Sequence, residues 1–216
     1  MPPGNRPLII GFLVALTGAA FFALLAQSVM AGNTVVFDAG VRNAIHGWAN
    51  PVLTGVMRAI TELGAVVFLL PLGILVVWRL RAAGRPRAAV LFALAAVGGE
   101  LSDQALKYWF RRPRPEVFFG MAQPATYSFP SGHSVASCCF YGVLAAILSA
   151  AAVSRRRKIA IWAAAALLTL AIGTSRIYLG VHYPTDVMGG YAVAVVWVFL
   201  VRFGYHVWLR CIPPSI

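Results

Sequence analysis

The chain has 216 residues, of which 60% are hydrophobic and only 11% are charged. Soluble domains carry about 25% charged residues, so this composition excludes a soluble globular protein, and the long apolar runs predict an integral membrane protein. The net charge is +12, but the basic residues lie between apolar runs, which excludes a nucleic-acid-binding domain and indicates contact with anionic lipids. No linker or internal repeat interrupts the chain, so residues 1–216 are predicted to form one domain.

Six apolar stretches predict an all-α bundle of six transmembrane helices. A spanning helix needs about 20 residues, and fewer when its ends lie in the interface. The first stretch is longer than the apolar part of a signal peptide, so a retained helix is favoured over cleavage near Val29-Met30-Ala31. The predicted spans are 7–28, 64–80, 88–110, 134–153, 159–174 and 185–203.

Two smaller features have structural interpretations. Residues 35–50 alternate apolar with polar side chains, which predicts an amphipathic helix in the membrane interface, with a polar loop as the alternative. The three cysteines have no metal-ligand spacing, and we interpret them as small core residues without a disulfide. They are Cys138, Cys139 and Cys211.

Basic residues in the connecting segments predict how the helices are oriented. Lys and Arg favour the cytoplasmic side, and with six spans most of them share that side. One cluster, formed by Lys107, Arg111, Arg112 and Arg114, follows the third span on the opposite side and needs a local reason. The cytoplasmic set is Arg6, Arg79, Arg81, Arg85, Arg87, Arg155, Arg156, Arg157, Lys158, Arg202 and Arg210.

The first polar motif lies in this exceptional cluster. Lys107 and Arg114-Pro115 flank a helix end that is stiffened by proline. Guanidinium and ammonium groups both bind phosphate oxygens, so the pair predicts an anion site. The alternative is an interfacial cluster that binds lipid headgroups.

The second motif, Pro130-Ser131-Gly132-His133, comes just before the fourth span. Backbone N–H groups at a helix start bind anions, and Gly132 lets the backbone approach a ligand closely. His133 would then lie at the mouth of the anion site. The alternative is an ordinary helix cap with an interfacial histidine.

The third motif, Ser175-Arg176 with His182 and Asp186, is predicted to lie between the fifth and sixth spans. His182 and Asp186 are four residues apart and would share a helix face, where a carboxylate fixes the imidazole tautomer and stabilises its cation. Arg176 adds a second guanidinium. The alternative is a histidine that caps the helix while Asp186 bonds to the backbone.

The six-span topology places all three motifs at one membrane face. Arg87 to Lys107 and His133 to Arg155 each correspond to about 30 Å of helix, which matches one crossing of the bilayer. Together the motifs predict an anion pocket with a His–Asp pair and a second histidine. The residues alone favour His182 over His133 as nucleophile only because His182 has the carboxylate partner.

In order and spacing, the three motifs resemble the signature of the type 2 phosphatidic acid phosphatase superfamily, which includes bacterial acid phosphatases and vanadium haloperoxidases. The resemblance implies a lipid phosphatase that needs no metal or other cofactor, in the bacterial cytoplasmic membrane with its site facing outward. It implies that His182 forms a phosphohistidine, that Asp186 orients His182, and that His133 protonates the leaving oxygen and then activates water. The implied phosphate-binding residues are Lys107, Arg114, Ser131, Gly132 and Arg176.

The other polar residues near the motifs are given mainly structural roles. Asp103 is predicted to pair with Lys107, and Arg58 with Glu62, because both pairs are four residues apart. Glu100 is expected to be functional or paired, as intramembrane acids generally are. Further expectations are phosphate or headgroup contacts for Arg111 and Arg112, and interface anchoring for Tyr127 and Tyr183.

The sequence leaves the substrate open among undecaprenyl diphosphate, phosphatidylglycerol phosphate, phosphatidic acid and lipid A 1-phosphate. A transporter or channel with a polar pathway is the main alternative function. It would require inverted repeats and broken helices near the middle of the membrane. A vanadate-dependent haloperoxidase is a third hypothesis, although the six predicted spans contrast with the soluble members of that group.

Overall fold

The computed structural model describes residues 6–211 and forms a bundle of eight α-helices, with no β-strand among these residues. The predicted all-α architecture is therefore confirmed. The side chains of Arg6, Arg210 and Cys211 lie outside the described part of the chain. The helices are α1 Arg6–Met30, α2 Val35–His46, α3 Pro51–Glu62, α4 Val66–Ala82, α5 Pro86–Phe110, α6 Gly132–Ala151, α7 Arg155–Tyr178 and α8 Pro184–Cys211.

Five of these helices, α1 and α5 to α8, are long and apolar enough to cross a membrane. The remaining predicted span, the second in the chain, corresponds to α4, which follows α3 after a bend of 45°. Large apolar side chains such as Leu24, Val67 and Leu167 point outward, as expected for helices surrounded by lipid. The predicted spans are thus found in order, and the second has a bent helical extension.

The fifth span is longer than predicted at both ends. Ser154 caps its start by accepting a hydrogen bond from the Arg157 N–H at 3.3 Å. At the other end the helix continues through Ser175 and Arg176 to Tyr178. The prediction that Ser175 and Arg176 lie in a loop is therefore wrong, because these polar side chains are buried in the bundle and the helix persists beyond the apolar run.

The segment between the first two spans contains two helices. Within the predicted amphipathic stretch, α2 exposes Val35, Val36 and Phe37 and buries Asp38. The sequence analysis missed α3, although its start carries a recognisable signal: the Asn50 side chain accepts from the Leu53 N–H at 2.9 Å, and proline follows at the first helical position.

Small residues allow the long helices to approach one another closely. A Cβ atom at Gly98 of α5 would lie 2.0 Å from the Trp197 ring of α8, and one at Gly173 of α7 would lie 2.0 Å from the Tyr191 hydroxyl. Close backbone approach at small residues is typical of helix packing in membranes. On α6, Cys138 and Cys139 are free thiols among apolar side chains, as the sequence predicted.

The bundle has two chemically different ends. The C-terminal ends of α5 and α7, the N-terminal ends of α6 and α8 and the bend between α3 and α4 meet at one end, which we call the motif end. The end of α4 and the starts of α5 and α7 lie at the opposite end and carry eight basic residues: Arg79, Arg81, Arg85, Arg87, Arg155, Arg156, Arg157 and Lys158. The fold thus brings the three sequence motifs together at the end opposite to most of the basic loops.

Candidate active site

The first motif lies at the C-terminal end of α5. Lys107 is only 3% exposed, and its ammonium group donates to both carboxylate oxygens of Asp103 one turn earlier. This confirms the predicted pair. Arg111 ends the helix in the left-handed region at φ 49°, after which the chain crosses the motif end as an irregular segment to Ser131. Lys107 is therefore held rigidly beside the motifs that follow.

Arg114 extends from this segment toward the centre of the site. Its guanidinium donates to the Thr126 carbonyl at 2.6 Å and to the Val181 carbonyl at 2.9 Å. Its Nη1 also lies 3.1 Å from His182 Nε2. Burial lowers the pKa of Arg114 from its usual value, but a guanidinium remains charged at neutral pH.

The second motif forms the start of α6. A Cβ atom at Gly132 would lie 2.8 Å from Asp103 Oδ2 and 3.1 Å from Lys107 Nζ, so only glycine permits this approach between α5 and α6. The Ser131 hydroxyl is buried and has no hydrogen-bond partner. His133 follows in the first turn and faces the bend at Gly64.

The third motif is divided between two helices and the link that joins them. Gly180, at φ 77°, turns the chain after α7, and His182 precedes α8. His182 Nδ1 lies 3.2 Å from Asp186 Oδ2. The predicted pair therefore exists, but the reason given for it was incomplete: Asp186 is in the first turn of α8 and reaches back to a residue outside that helix.

The hydrogen-bond partners of His182 define its tautomer. Asp186 accepts at Nδ1, so Nδ1 carries the proton and the Nε2 lone pair faces Arg114. Burial lowers the pKa of His182 to about 4, and Arg114 and Arg176 act in the same direction against the opposing effect of Asp186. At neutral pH the imidazole is therefore neutral, with a free-base Nε2 that faces the Arg114 guanidinium.

Arg176 completes the basic part of the site from the last turn of α7. It is 7% exposed, and its Nη1 donates to the Thr61 hydroxyl of α3 at 2.6 Å. Its Nε is buried without a hydrogen-bond partner. An unpaired donor on a buried cation is costly unless an anion or water completes it, so Arg176 is suited to bind a ligand.

These side chains surround a cavity of about 220 Å³ at the motif end. Of the eight residues proposed from the sequence, Ser131 and Asp186 do not line it; both are fully buried behind it. A wider hollow of about 470 Å³ lies beside the start of α3, but its lining contains no histidine or acid. The lining of the smaller cavity is Gly64, Val66, Glu100, Asp103, Gln104, Lys107, Arg114, Pro124, Thr126, Gly132, His133, Arg176 and His182.

The structure adds a buried ion-pair network that the sequence analysis missed. Arg112 Nη1 lies 2.6 Å from Asp186 Oδ1, and its Nη2 lies 2.7 Å from Asp38 Oδ2 of α2. The expectation that Arg112 contacts phosphate or headgroups is wrong, because its guanidinium is occupied by these two carboxylates. Ser128 also donates to Asp186. The only hint in the sequence was a single acid, Asp38, among apolar residues.

Other predicted contacts differ from expectation. Arg58 donates to the Phe119 carbonyl at 3.4 Å, and the ion pairs among residues 6–211 do not include the predicted one with Glu62. Glu100 accepts a hydrogen bond from Gln104 at 2.9 Å and lines the cavity. Three further residues have the following contacts: Arg111 is exposed and donates to the Tyr108 carbonyl, Tyr127 packs edge-on against Tyr108, and Tyr183 stacks beneath the Arg112 guanidinium.

Comparisons with known proteins agree with this geometry. Over 184 residues the chain is 33% identical to phosphatidylglycerophosphatase B of Bacillus subtilis (strain 168), covering 84% of this chain and 90% of the relative. It is 35% identical over 164 residues to undecaprenyl-diphosphatase BcrC of the same organism, covering 73% and 78% of the two chains. The crystal structure of a transmembrane PAP2-type phosphatidylglycerolphosphate phosphatase from Bacillus subtilis superposes with a TM-score of 0.81, at 30% identity, over 92% of this chain and 98% of that one.

A bundle of apolar spanning helices with a cavity of histidine, arginine and lysine at one end defines an integral membrane phosphatase. Residues 88–209 match the PAP2 superfamily, and the chain belongs to this family. It is a phosphoric monoester hydrolase whose relatives are lipid phosphatases. The transporter hypothesis loses its basis, because the polar groups gather at one end of the bundle and not near its middle.

Proposed function

We propose that the chain is a single-domain lipid phosphatase that hydrolyses a phosphomonoester or diphosphate of a membrane lipid through a phosphohistidine at His182. The observation that carries the proposal is the pairing of His182 Nδ1 with Asp186 at 3.2 Å, which leaves Nε2 directed toward the cavity and Arg114. A neutral imidazole with its lone pair beside cations is ready to attack the phosphorus of a bound phosphate.

Phosphate binding is assigned to the cationic lining of the cavity. The guanidinium groups of Arg114 and Arg176 would bind the phosphoryl oxygens together with Lys107. The backbone N–H of Gly132 and the unpartnered hydroxyl of Ser131 would complete the set from the start of α6. When phosphate enters, Arg114 would exchange its contact with His182 Nε2 for a phosphoryl oxygen, which frees the lone pair.

The reaction would proceed in two steps. Nε2 of His182 forms a bond to phosphorus while the bond to the leaving oxygen breaks, and His133 donates a proton to that oxygen. The positive charge that develops on His182 is stabilised by Asp186. In the second step His133 accepts a proton from water, the water oxygen bonds to phosphorus, and the nitrogen–phosphorus bond breaks to release inorganic phosphate.

The names of the relatives support lipid phosphates as the candidate substrates. One relative is a phosphatidylglycerophosphatase and another an undecaprenyl-diphosphatase, so the chain is expected to act on phosphatidylglycerol phosphate, phosphatidic acid, undecaprenyl diphosphate or a related lipid such as lipid A 1-phosphate. We place the enzyme in a bacterial cytoplasmic membrane with the cavity facing outward, because most basic loops lie at the other end of the bundle.

The decisive experiment measures phosphate release from a panel of short-chain lipid mono- and diphosphates by the purified protein in EDTA. We expect turnover of at least one lipid without added metal, and a loss of about 10⁴-fold or more in kcat for His182→Ala. Rapid acid-free quenching of a reaction with radiolabelled substrate should trap base-stable label on the His182 peptide. Activity that EDTA abolishes and Mg²⁺ restores, or a His182→Ala variant with most of its activity, would refute this mechanism.

A further inference from the structure

Arg112 connects two buried carboxylates that come from distant parts of the chain. Its two terminal nitrogens lie 2.6 Å from Asp186 and 2.7 Å from Asp38. The side chains of the two acids are 0% and 1% exposed, and that of Arg112 is 11% exposed. Ion pairs buried to this degree are costly to form unless every charged atom has a partner. The partners of each carboxylate oxygen therefore show whether this network can be stable.

Each carboxylate oxygen in the network has a defined partner. On Asp186, Oδ1 contacts Arg112, while Oδ2 faces His182 and accepts from the Tyr183 N–H at 2.8 Å. On Asp38, Oδ2 contacts Arg112 and Oδ1 accepts from the Thr185 N–H at 3.0 Å. The first turn of α8 is therefore held by Arg112 through Asp186 and by Asp38 of α2 through the preceding residue, Thr185.

This arrangement has an electrostatic consequence for His182. Asp186 alone would present a full negative charge to the imidazole and favour its protonated form. Arg112 draws part of that charge toward the opposite oxygen, and Asp38 in turn limits how much of the Arg112 charge reaches Asp186. The other groups that face His182 are Arg114 of the connecting segment, Arg176 of α7 and His133 of α6.

We propose that Arg112 and Asp38 are positioning residues of this phosphatase: they orient Asp186 and moderate the negative charge that it presents to His182, so that His182 is correctly aimed before phosphate binds. Neither residue lines the cavity, so both act through Asp186 and not on the substrate. This inference rests on the proposed role of His182 as nucleophile. It also gives α2, which lies outside the part of the chain that matches the family, a direct connection to the site.

Substitutions of Arg112 and Asp38 are expected to shift the titration of His182 in opposite directions. Arg112→Gln removes the cation that offsets Asp186, so the protonated form of His182 is favoured and its titration midpoint rises from about 4 by about one pH unit or more. Asp38→Asn leaves Arg112 free to act fully on Asp186, so the midpoint falls. Arg112→Lys keeps the charge and restores most of the wild-type midpoint. A purely structural role predicts no shift in any of these variants.

The midpoint can be measured without turnover. Diethyl pyrocarbonate acylates neutral imidazole, so the pH dependence of His182 carbethoxylation, followed by mass spectrometry of its peptide, reports its titration. Arg111→Gln is the matched control, because Arg111 is the neighbouring exposed arginine and contacts neither acid. Size-exclusion profiles and thermal melts of the purified variants identify any that fail to fold. If Arg112→Gln is among them, the fall in midpoint expected for Asp38→Asn still distinguishes the inference from a purely structural role.

Activity provides the second readout. On dioctanoyl phosphatidic acid we expect Arg112→Gln to lower kcat about 10- to 100-fold with little change in KM, and Arg111→Gln to behave like the wild type. The inference would be overturned if the His182 midpoints of Arg112→Gln and Asp38→Asn stayed at the wild-type value or shifted in the same direction. If the wild-type protein releases no phosphate, the proposed function fails. The carbethoxylation midpoints still decide whether Arg112 and Asp38 control the charge that Asp186 presents to His182.

Discussion

At the scale of single residues, Gly132 shows how strictly the site depends on atomic distances. The start of α6 approaches Asp103 and Lys107 so closely that even a methyl group would overlap the carboxylate, at 2.8 Å. Because these groups form a buried ion pair, neither can withdraw without leaving the other unpaired. The glycine therefore determines how near the backbone at the start of α6 can come to Lys107.

We expect Gly132→Ala to lower kcat/KM about 100-fold, because displacing a binding group by about 1 Å has effects of this size. Gly142→Ala, in the same helix, is the control, since a Cβ atom there would meet nothing within 4 Å. Phosphate release from dioctanoyl phosphatidic acid measures the effect. Equal activity of the two variants would show that the start of α6 does not contact the phosphate.

At the scale of helices, α5 presents three ionisable groups along the cavity. Lys107 lies at its end and is neutralised by Asp103, while Glu100 lies one turn further from the end and also lines the cavity. Two guanidinium groups, those of Arg114 and Arg176, then remain to balance a ligand, against one carboxylate. From this balance we expect the cavity to bind a phosphomonoester better than a diphosphate, which carries more negative charge.

The expected consequence is that Glu100→Gln raises kcat/KM for a short-chain lipid diphosphate relative to the monophosphate, by about 3- to 10-fold, because a repulsive charge is removed. Glu116→Gln serves as the control, since Glu116 is exposed in the connecting segment and does not line the cavity. The same ratio for Glu100→Gln and the wild type would mean that the second phosphate does not approach α5.

At the scale of the whole molecule, the distribution of charge predicts the orientation in the membrane. Gly120 lies in the connecting segment at the motif end, and Arg156 lies in the first turn of α7 at the opposite end. In otherwise cysteine-free protein, Gly120→Cys should react with a membrane-impermeant maleimide on intact cells, and Arg156→Cys only after permeabilisation. The reverse pattern would place the cavity at the cytoplasmic face.

Much of this architecture follows from the sequence because a membrane imposes strong constraints. A polar backbone must satisfy its hydrogen bonds within each span, so apolar runs of sufficient length become helices. The six predicted spans accordingly correspond to α1 and α4 to α8. Helix ends were less predictable. Ser175 and Arg176 continue α7 because tertiary contacts bury them, and the hydropathy of the local sequence does not indicate such contacts. The start of α3 at Asn50-Pro51 carries a helix-capping signal in the sequence, but the sequence analysis missed it.

The sequence by itself determined the membrane class, the order of the helices and the motifs that carry Lys107, His133 and His182, because these depend on local composition and spacing. Only the tertiary structure decided that Arg112 faces inward to Asp186 and Asp38. Arg112 and Arg111 are adjacent and chemically identical, and their different environments depend on α2 and α8, which lie more than 70 positions away along the chain. Burial and partner choice over such separations arise from packing, which no local pattern encodes.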